Sequence, residues 1–234
     1  MECGRIATVG FDADDTLWHN ERVFRLTEAR FAELLAPYAA GADPSARLSA
    51  AERRNLGRYG YGIKGFVLSM IETALEVSDG RVPGSVVAEL IAAGHEMLAH
   101  PIELLPHARA AVEALAGRCR LVLVTKGDLL DQERKLAQSG LGGLFDAVEV
   151  VSEKTVATYA TIFARHGPGP EAAMMVGNSL RSDVLPALAA GAWGVHVPHE
   201  LTWVHEHAPE PEGHARYLRL DDLSGLPALV ASLA

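Results

Sequence analysis

The apolar residues of this chain follow two periods, one typical of strands and one typical of helices. Residues 6–9 form a short apolar, β-favouring run that predicts a buried strand. After Trp18 the apolar positions recur at helical spacing, which predicts a block of helices. Glycine or proline turns divide this block into four helical segments, at about 19–38, 46–58, 65–77 and 85–98.

The second half of the chain alternates between the two patterns. Short apolar runs predict strands at 120–125, 145–151, 172–176 and 193–197. Helical segments are predicted before and between them, at 106–116, 129–138, 155–166 and 182–190. Such alternation is typical of an α/β fold whose parallel sheet is covered on both faces. We therefore predict an α/β core domain made of residues 1–18 and 99–234, with a helical domain, residues 19–98, inserted into it.

Composition narrows the possible partners. The chain has 234 residues, 49% of them hydrophobic, and a net charge of -9, which argues against a nucleic-acid-binding surface because such surfaces need clustered Lys and Arg. The first residues lack the pattern of a secretory signal, and no later segment is long and uncharged enough to span a bilayer. We expect a cytoplasmic globular protein without a nucleic-acid or membrane partner, either a monomer or a homodimer.

Three carboxylates follow the first predicted strand: Asp12, Asp14 and Asp15. Because side chains alternate across a strand, Asp12 and Asp14 are expected to share one face while Asp15 points elsewhere. Two carboxylates that face one point indicate a divalent-cation site, and one of them is free to act as a nucleophile or an acid/base. The alternative is a solvated acidic turn after a strand.

Polar side chains also follow the later predicted strands. The Thr125 hydroxyl and the backbone N–H groups beside it can hold phosphate oxygens, and Lys126 comes directly after it. Lys154, after the next strand, can neutralise charge between a nucleophilic carboxylate and a phosphoryl group. Each residue also has a purely structural explanation, since Thr125 can simply end a strand and Lys154 can be a solvated lysine at a helix start.

Asp183 follows the fourth of the predicted strands that carry polar ends. It can complete a site of hard oxygen ligands with the Asp12 carboxylate and the main chain at Asp14. Magnesium suits such a site because it prefers octahedral oxygen coordination and needs only a few carboxylates. Alternatively, Asp183 is an ordinary cap of the helix that follows.

Together these residues resemble the motifs of the haloacid dehalogenase-like (HAD) hydrolase superfamily. The first motif, D-x-D-x-T after an apolar strand, matches residues 12–16, and the second, a Thr or Ser at a strand end, matches Thr125. The third, a lysine, matches Lys154, and the fourth, a glycine turn with a distal acid, matches residues 177–179 with Asp183. The resemblance covers nearly the whole chain, and it implies a Rossmann-like core with an inserted helical cap of the superfamily's first type, closing over the active site.

The resemblance also implies roles for these residues in a magnesium-dependent phosphatase. Asp12 would attack phosphorus and form an aspartyl-phosphate, while Asp14 would protonate the leaving oxygen and later activate water. An acid at position 14 favours phosphate over carbon–halogen chemistry, because the family's dehalogenases lack one there. One departure is Asn178, where many members have an acid; it can bond a metal-bound water but brings no charge, so Asp183 is expected to bind metal there alone.

The helical block contains a run of basic and aromatic residues with repeated glycines. One hypothesis is a substrate-reading loop in which Lys64 or Arg58 contacts the substrate and Tyr59, Tyr61 or Phe66 shapes a pocket. The alternative is a junction between helices whose aromatic residues pack internally and whose basic residues are solvated. The sequence favours neither.

The substrate is expected to be a small phosphorylated metabolite. Three other functions remain open. A phosphonate hydrolase would use a cap lysine as a Schiff base, for which Lys64 is a candidate, and a phosphomutase would use the same core while shielding the intermediate from water. A non-enzymatic metabolite-binding protein is disfavoured, because a degenerate member would be expected to lose some of the motif residues, and all are present.

Overall fold

The computed structural model describes residues 6–39, 41–201 and 203–233, apart from the side chain of His205. Six strands are described: β1 Thr8–Phe11, β2 Arg120–Lys126, β3 Ala147–Val151, β4 Ala173–Gly177, β5 Trp193–His196 and β6 Tyr217–Arg219. The α-helices are α1 Glu21–Leu35, α2 Pro44–Tyr59, α3 Ile63–Val77, α4 Gly84–Ala99, α5 Ala108–Leu115, α6 Leu129–Ser139, α7 Val156–Arg165, α8 Leu185–Ala189 and α9 Leu226–Ser232. A π-helical turn, Leu180–Val184, precedes α8.

The six strands form one parallel sheet in the order β3-β2-β1-β4-β5-β6. The central strand β1 pairs with β2 and β4, so that Phe11 lies opposite Leu123 on one side and Val176 on the other. This arrangement confirms the predicted α/β fold with a Rossmann-like parallel sheet. Because every strand is parallel, the carboxyl ends of β1, β2 and β4 lie at one edge of the sheet, where ligands bind in such folds.

Alternating residues of the strands fill two separate cores. One face carries Val9 and Phe11 of β1 and packs against α5 and α9 through Val112 and Val230. The opposite face carries Val122, Val124 and Met175 and packs against α7 through Tyr159, Ile162 and Phe163. The sheet is therefore covered on both sides, as its nearly continuous apolar strands require.

The described chain forms two compact units. One contains residues up to Glu21, Ile102–Lys126 and the chain from Gln132 onward; the other contains Arg22–Pro101 and Gly127–Asp131. The second unit has its own core, in which α1 to α4 contribute Phe31, Leu48, Met70 and Leu90 among others. The predicted domain division, 1–18 with 99–234 against 19–98, stays a prediction, and the assignment of residues 127–131 to the helical unit is a difference from it.

Several element bounds differ from those predicted. The strand β6 and the helix α9 were not predicted, because the segments that form them are short and follow an irregular stretch. The predicted helix at 182–190 is a π-helical turn followed by the short α8, with Pro186 near the start of α8. Within the part of the chain described, no helix is both long and apolar enough to cross a membrane.

Candidate active site

The ends of four strands, all at the carboxyl edge of the sheet, carry the predicted residues of the four motifs. Asp12 follows β1 directly, Thr125 is the second-last residue of β2, and Gly177 is the last residue of β4. Lys154 lies after β3, just before Thr155, whose hydroxyl caps α7 by accepting from the Thr158 N–H. The parallel register explains this convergence, since all these strands end at the same side of the sheet.

Lys154 links the first and last motifs through one ammonium group. Its Nζ donates to Asp12 Oδ1 and, at 2.6 Å, to Asp183 Oδ1. All three side chains are buried: Lys154 is 6%, Asp12 6% and Asp183 1% exposed. Because little solvent reaches these groups, each of the two carboxylates depends on the Lys154 ammonium group for a compensating positive charge. Lys154 therefore contacts the Asp12 carboxylate directly, while the catalytic roles of both residues stay predictions.

Burial and neighbouring charges shift the pKa values of Asp12 and Lys154. Burial, reinforced by the negative charge of Asp183, raises the pKa of Asp12 to about 7 against the opposing effect of Lys154. Burial alone would lower the pKa of Lys154, but the Asp12 and Asp183 carboxylates outweigh it and raise that pKa. The cluster therefore holds two acidic groups around a single lysine, an arrangement typical of functional sites.

Asp183 is fixed from three directions. Besides Lys154, its Oδ2 accepts the backbone N–H of Ser179 at 2.9 Å. Gly177 lies so close that a Cβ atom there would collide with the Asp183 carboxyl group. The glycine of the fourth motif is thus required by packing, because only hydrogen fits between the end of β4 and the carboxylate.

Thr16 ties the first motif to the fourth. Its hydroxyl lies 3.0 Å from Asp12 Oδ2, to which it donates, and it accepts the backbone N–H of Asn178 at 3.0 Å. The Asn178 side-chain oxygen is 3.3 Å from the same hydroxyl. Asn178, predicted as a supporting residue, is therefore connected to Asp12 through Thr16.

Asp14 has partners different from those of Asp12. Trp18 Nε1 donates to its Oδ1 at 2.7 Å and Gln132 Nε2 to its Oδ2 at 3.0 Å. Lys135 Nζ is 3.0 Å from both oxygens. The carboxyl group is thus bound by three donors, two of which come from α6, and it remains about a quarter exposed.

Asp15 has partners different from those of Asp12 and Asp14. It adopts a positive φ of 59°, and its carboxylate accepts the backbone N–H groups of Asn20 and Glu21 at the start of α1. Burial raises its pKa to about 6. Its role is structural, since it satisfies N–H groups that a helix start leaves without intrahelical partners.

The two predicted phosphate-binding residues of β2 differ in their surroundings. Thr125 is buried, and its Oγ1 accepts from Gln132 Nε2 at 3.0 Å. Lys126 instead forms an ion pair with Glu206, with Nζ 2.7 Å from Oε1, and donates to Ser182 Oγ at 2.9 Å. Glu206 also accepts from the Ser179 hydroxyl. Phosphate binding by Thr125 and Lys126 stays a prediction, and for Lys126 it would occur beside a carboxylate.

Lys64 lies in the helical unit. It is exposed, and its Nζ is 2.9 Å from Asp128 Oδ2, which belongs to the same unit. Two neighbouring aromatic residues have partners inside the unit: the Tyr59 hydroxyl donates to Glu72, and Phe66 contacts the ring of Phe24. These contacts favour internal interactions for Tyr59 and Phe66, whereas substrate contact by Lys64 stays a prediction.

The residues present fit a magnesium ion. Two buried carboxylates, Asp12 and Asp183, converge on one cationic group, and hard oxygens of this kind are the ligands that Mg²⁺ prefers. Among the described residues no cluster of three or more His, Cys, Asp or Glu side chains has a geometry suited to a metal ion. This is compatible with magnesium, which commonly binds to one or two carboxylates and completes its shell with other oxygens. A contribution of Asp14 to holding the ion would come from its main-chain oxygen, since Trp18, Gln132 and Lys135 bind its carboxylate.

Three polar residues around the site were not predicted from the sequence: Gln132, Lys135 and Glu206. Gln132 and Lys135 are buried on the same face of α6 as Leu136. In the sequence, the signal for them was that polar residues occupy helix positions where apolar residues are expected. Glu206 gave no signal, because it lies in the irregular segment after β5.

A family model, described as haloacid dehalogenase-like hydrolase, matches residues 6–191. The chain therefore belongs to the haloacid dehalogenase-like hydrolase family, and this confirms the family predicted from the four motifs. The membership makes it a hydrolase of this class.

Similar structures and sequences agree with this assignment. A crystal structure of a haloacid dehalogenase-like family hydrolase from Xanthomonas campestris is 44% identical, with a TM-score of 0.88, and covers 100% of this chain and 94% of that chain. The 2-haloacid dehalogenase of Pseudomonas syringae shares the fold at 22% identity and a TM-score of 0.64, covering 98% of this chain and 100% of that one. A glyceraldehyde 3-phosphate phosphatase from Methanothermobacter thermautotrophicus is 32% identical over 116 residues, 47% of this chain and 51% of the relative. The match thus spans about half the length of that curated relative.

Proposed function

We propose that this hydrolase cleaves the phosphate monoester of a small metabolite through an aspartyl-phosphate on Asp12, with Mg²⁺ as cofactor. The observation that carries the proposal is the separation of two carboxylates into different surroundings. Asp12 is buried against Lys154 and Thr16, whereas Asp14 is partly exposed and bound to a second set of donors. Two carboxyl groups with distinct environments are suited to distinct roles in one reaction.

In the first half-reaction an Asp12 carboxylate oxygen attacks phosphorus. The bond between phosphorus and the ester oxygen breaks, and that oxygen takes a proton from the Asp14 carboxyl group. Lys154 holds Asp12 in place, and its positive charge would offset the negative charge that accumulates on the phosphoryl oxygens. Alignment and charge stabilisation supply most of the rate increase, because a carboxylate is a weak nucleophile.

In the second half-reaction a water molecule attacks phosphorus and gives a proton to the Asp14 carboxylate. The bond between phosphorus and the Asp12 oxygen breaks, releasing inorganic phosphate and restoring both aspartates to their starting forms. Asp14 thus acts as an acid when the ester oxygen leaves and as a base when water attacks.

Magnesium would be held by the Asp12 and Asp183 carboxylates and by the main-chain oxygen of Asp14. When bound, it supplies positive charge that screens the phosphoryl oxygens from the attacking carboxylate. The remaining contribution of Asp183 is to hold Lys154, since it shares the Lys154 ammonium group with Asp12.

Phosphate chemistry is favoured over carbon–halogen chemistry by Asp14, because only an ester oxygen needs a proton as it leaves. The shared fold does not distinguish a phosphatase from a dehalogenase, since a dehalogenase has the same fold. Schiff-base chemistry at Lys64 would need a desolvated neutral amine, whereas Lys64 is exposed and ion-paired. The named activity of the Methanothermobacter relative makes glyceraldehyde 3-phosphate the first metabolite to test.

The test is hydrolysis of p-nitrophenyl phosphate and glyceraldehyde 3-phosphate, each with magnesium and with a chelator. We expect phosphate release only with magnesium, and loss of activity on both substrates in Asp12→Asn, which keeps the shape of the side chain. Full activity in Asp12→Asn, or none in the wild type with metal, would contradict the proposal.

A further inference from the structure

We propose that Lys135 and Gln132 are positioning residues that orient the Asp14 carboxyl group toward the leaving oxygen. This inference rests on the proposed function, in which Asp14 transfers protons. It concerns two side chains of α6 that belong to none of the four motifs.

The first observation is that Lys135 is buried. Only 5% of the residue is exposed, in a helix whose other face meets solvent, and a buried ammonium group without partners is strongly unfavourable. Its Nζ lies 3.0 Å from both oxygens of Asp14 and 2.8 Å from Asn20 Oδ1. These polar contacts explain how the chain accommodates a lysine at this place, and two of the three go to Asp14.

The second observation is the arrangement of donors around Asp14. Trp18 binds one carboxylate oxygen, Gln132 the other, and Lys135 lies between the two oxygens. Donors on both oxygens fix the plane of a carboxyl group, which otherwise rotates easily about its last bond. Lys135 contacts both oxygens and therefore opposes this rotation in either direction.

The third observation links this arrangement to the phosphate end of the site. The Gln132 Nε2 atom lies 3.0 Å from Asp14 Oδ2, 3.0 Å from Thr125 Oγ1 and 2.6 Å from the Lys126 carbonyl oxygen. One amide therefore spans the acid/base residue and the strand end predicted to bind phosphate. The position of Asp14 is in this way set relative to the group it serves, and a misplacement of about 1 Å can reduce a rate about 100-fold.

The test uses two substrates whose leaving groups differ in their need for a proton. The p-nitrophenolate ion leaves without protonation, whereas the alkoxide of glyceraldehyde 3-phosphate does not. In Lys135→Met, kcat/KM for the alkyl phosphate is expected to fall about 100-fold or more, the range for loss of general acid catalysis, and for the aryl phosphate less than about tenfold. In Gln132→Leu, kcat/KM is also expected to fall more for the alkyl phosphate than for the aryl phosphate, but by a smaller factor than in Lys135→Met.

Three controls accompany this measurement. Arg134→Met removes a neighbouring cation of α6 that bonds Gln138, and it should leave both rates unchanged. In an Asp14→Asn background, Lys135→Met should cause no further substrate-selective loss, because it acts through Asp14. Calorimetric titration with Mg²⁺ should give the same affinity for Lys135→Met and the wild type.

If Lys135→Met does not fold, Lys135→Gln, which keeps one donor, gives the same comparison and should show the same selectivity with a smaller loss. Equal losses on the two substrates in the folded variant, or an undiminished effect in the Asp14→Asn background, would overturn the inference. Asp12→Asn separates this failure from that of the proposed function. It should lose both activities equally, and if it does not, the function itself is wrong and the inference falls with it.

Discussion

The Lys154 ammonium group lies 2.6 Å from Asp183 Oδ1 and also donates to Asp12, so one cation joins the first and last motifs. All three groups are almost fully buried. Each of the two carboxylates is therefore left without its main compensating charge when Lys154 is removed.

Lys154→Met should destabilise the protein by about 3–5 kcal/mol, the cost of breaking a buried ion pair from one side. Activity should be lost as well. Thermal unfolding with and without Mg²⁺ measures the effect, and the variant should gain more stability from Mg²⁺ than the wild type does, because its two carboxylates lack the ammonium group that pairs with them in the wild type. An unchanged melting temperature would show that the pair does not stabilise the fold.

Gly177→Ala should weaken magnesium binding and activity. The added Cβ atom would press on the Asp183 carboxyl group, and overpacking of this kind costs about 1–3 kcal/mol. Gly57→Ala is the matched control, since a Cβ there meets nothing and replacement of a glycine within α2 should stabilise the helix by about 0.5–1 kcal/mol. Magnesium titrations of the two variants that gave the same affinity would contradict the account of Gly177.

The Glu206 carboxylate should stabilise the protein in a pH-dependent way. Burial would raise its pKa, but Lys126 and the hydroxyls of Ser179 and Ser182, which hydrogen-bond the carboxylate, outweigh burial and lower it from 4.5 to about 2. A lowered pKa means that the stabilisation is complete above about pH 4.5 and is lost as the pH falls towards 2. Glu206→Gln should be less stable than the wild type by up to about 3 kcal/mol at pH 7.

Urea unfolding of Glu206→Gln and the wild type at pH 7, 5 and 3 would measure this difference. The gap between the two proteins should be the same at pH 7 and 5 and smaller at pH 3. A gap that grew as the pH fell would contradict the ion pair with Lys126.

Lys64→Ala should raise KM for the metabolite, leave its kcat nearly unchanged, and have little effect on p-nitrophenyl phosphate. Its ion pair with Asp128 is exposed, and such pairs contribute about 0–1 kcal/mol, so stability should barely change. Arg81→Ala, which removes another exposed ion pair of the helical unit, is the control. Equal effects on the two substrates would exclude substrate reading by Lys64.

The sheet and the motif residues could be predicted because both depend on local patterns. An apolar run that ends in polar residues is visible in the sequence at Asp12, at Thr125 and at residues 177–179, and parallel pairing then brings the strand ends together. The family resemblance supplied the roles, because single residues such as Lys154 had equally good structural explanations.

The donors around Asp14 could not be predicted in the same way. Lys135 is 121 residues from Asp14 in the chain, and Gln132 is 118 residues away. Glu206 is 80 residues from Lys126. Nothing in the spacing of the sequence specifies such long-range pairs, which form only once α6 and the segment after β5 are placed against the sheet.

The most direct test of the central claim is to identify the residue that carries phosphate during turnover. The reaction with p-nitrophenyl phosphate and Mg²⁺ is quenched in acid within one turnover, and the digested protein is examined by mass spectrometry. We predict one phosphate on the peptide that contains Asp12, labile to hydroxylamine and missing in Asp12→Asn. Phosphate on another residue, or turnover by the wild type with no phosphorylated protein, would contradict the account.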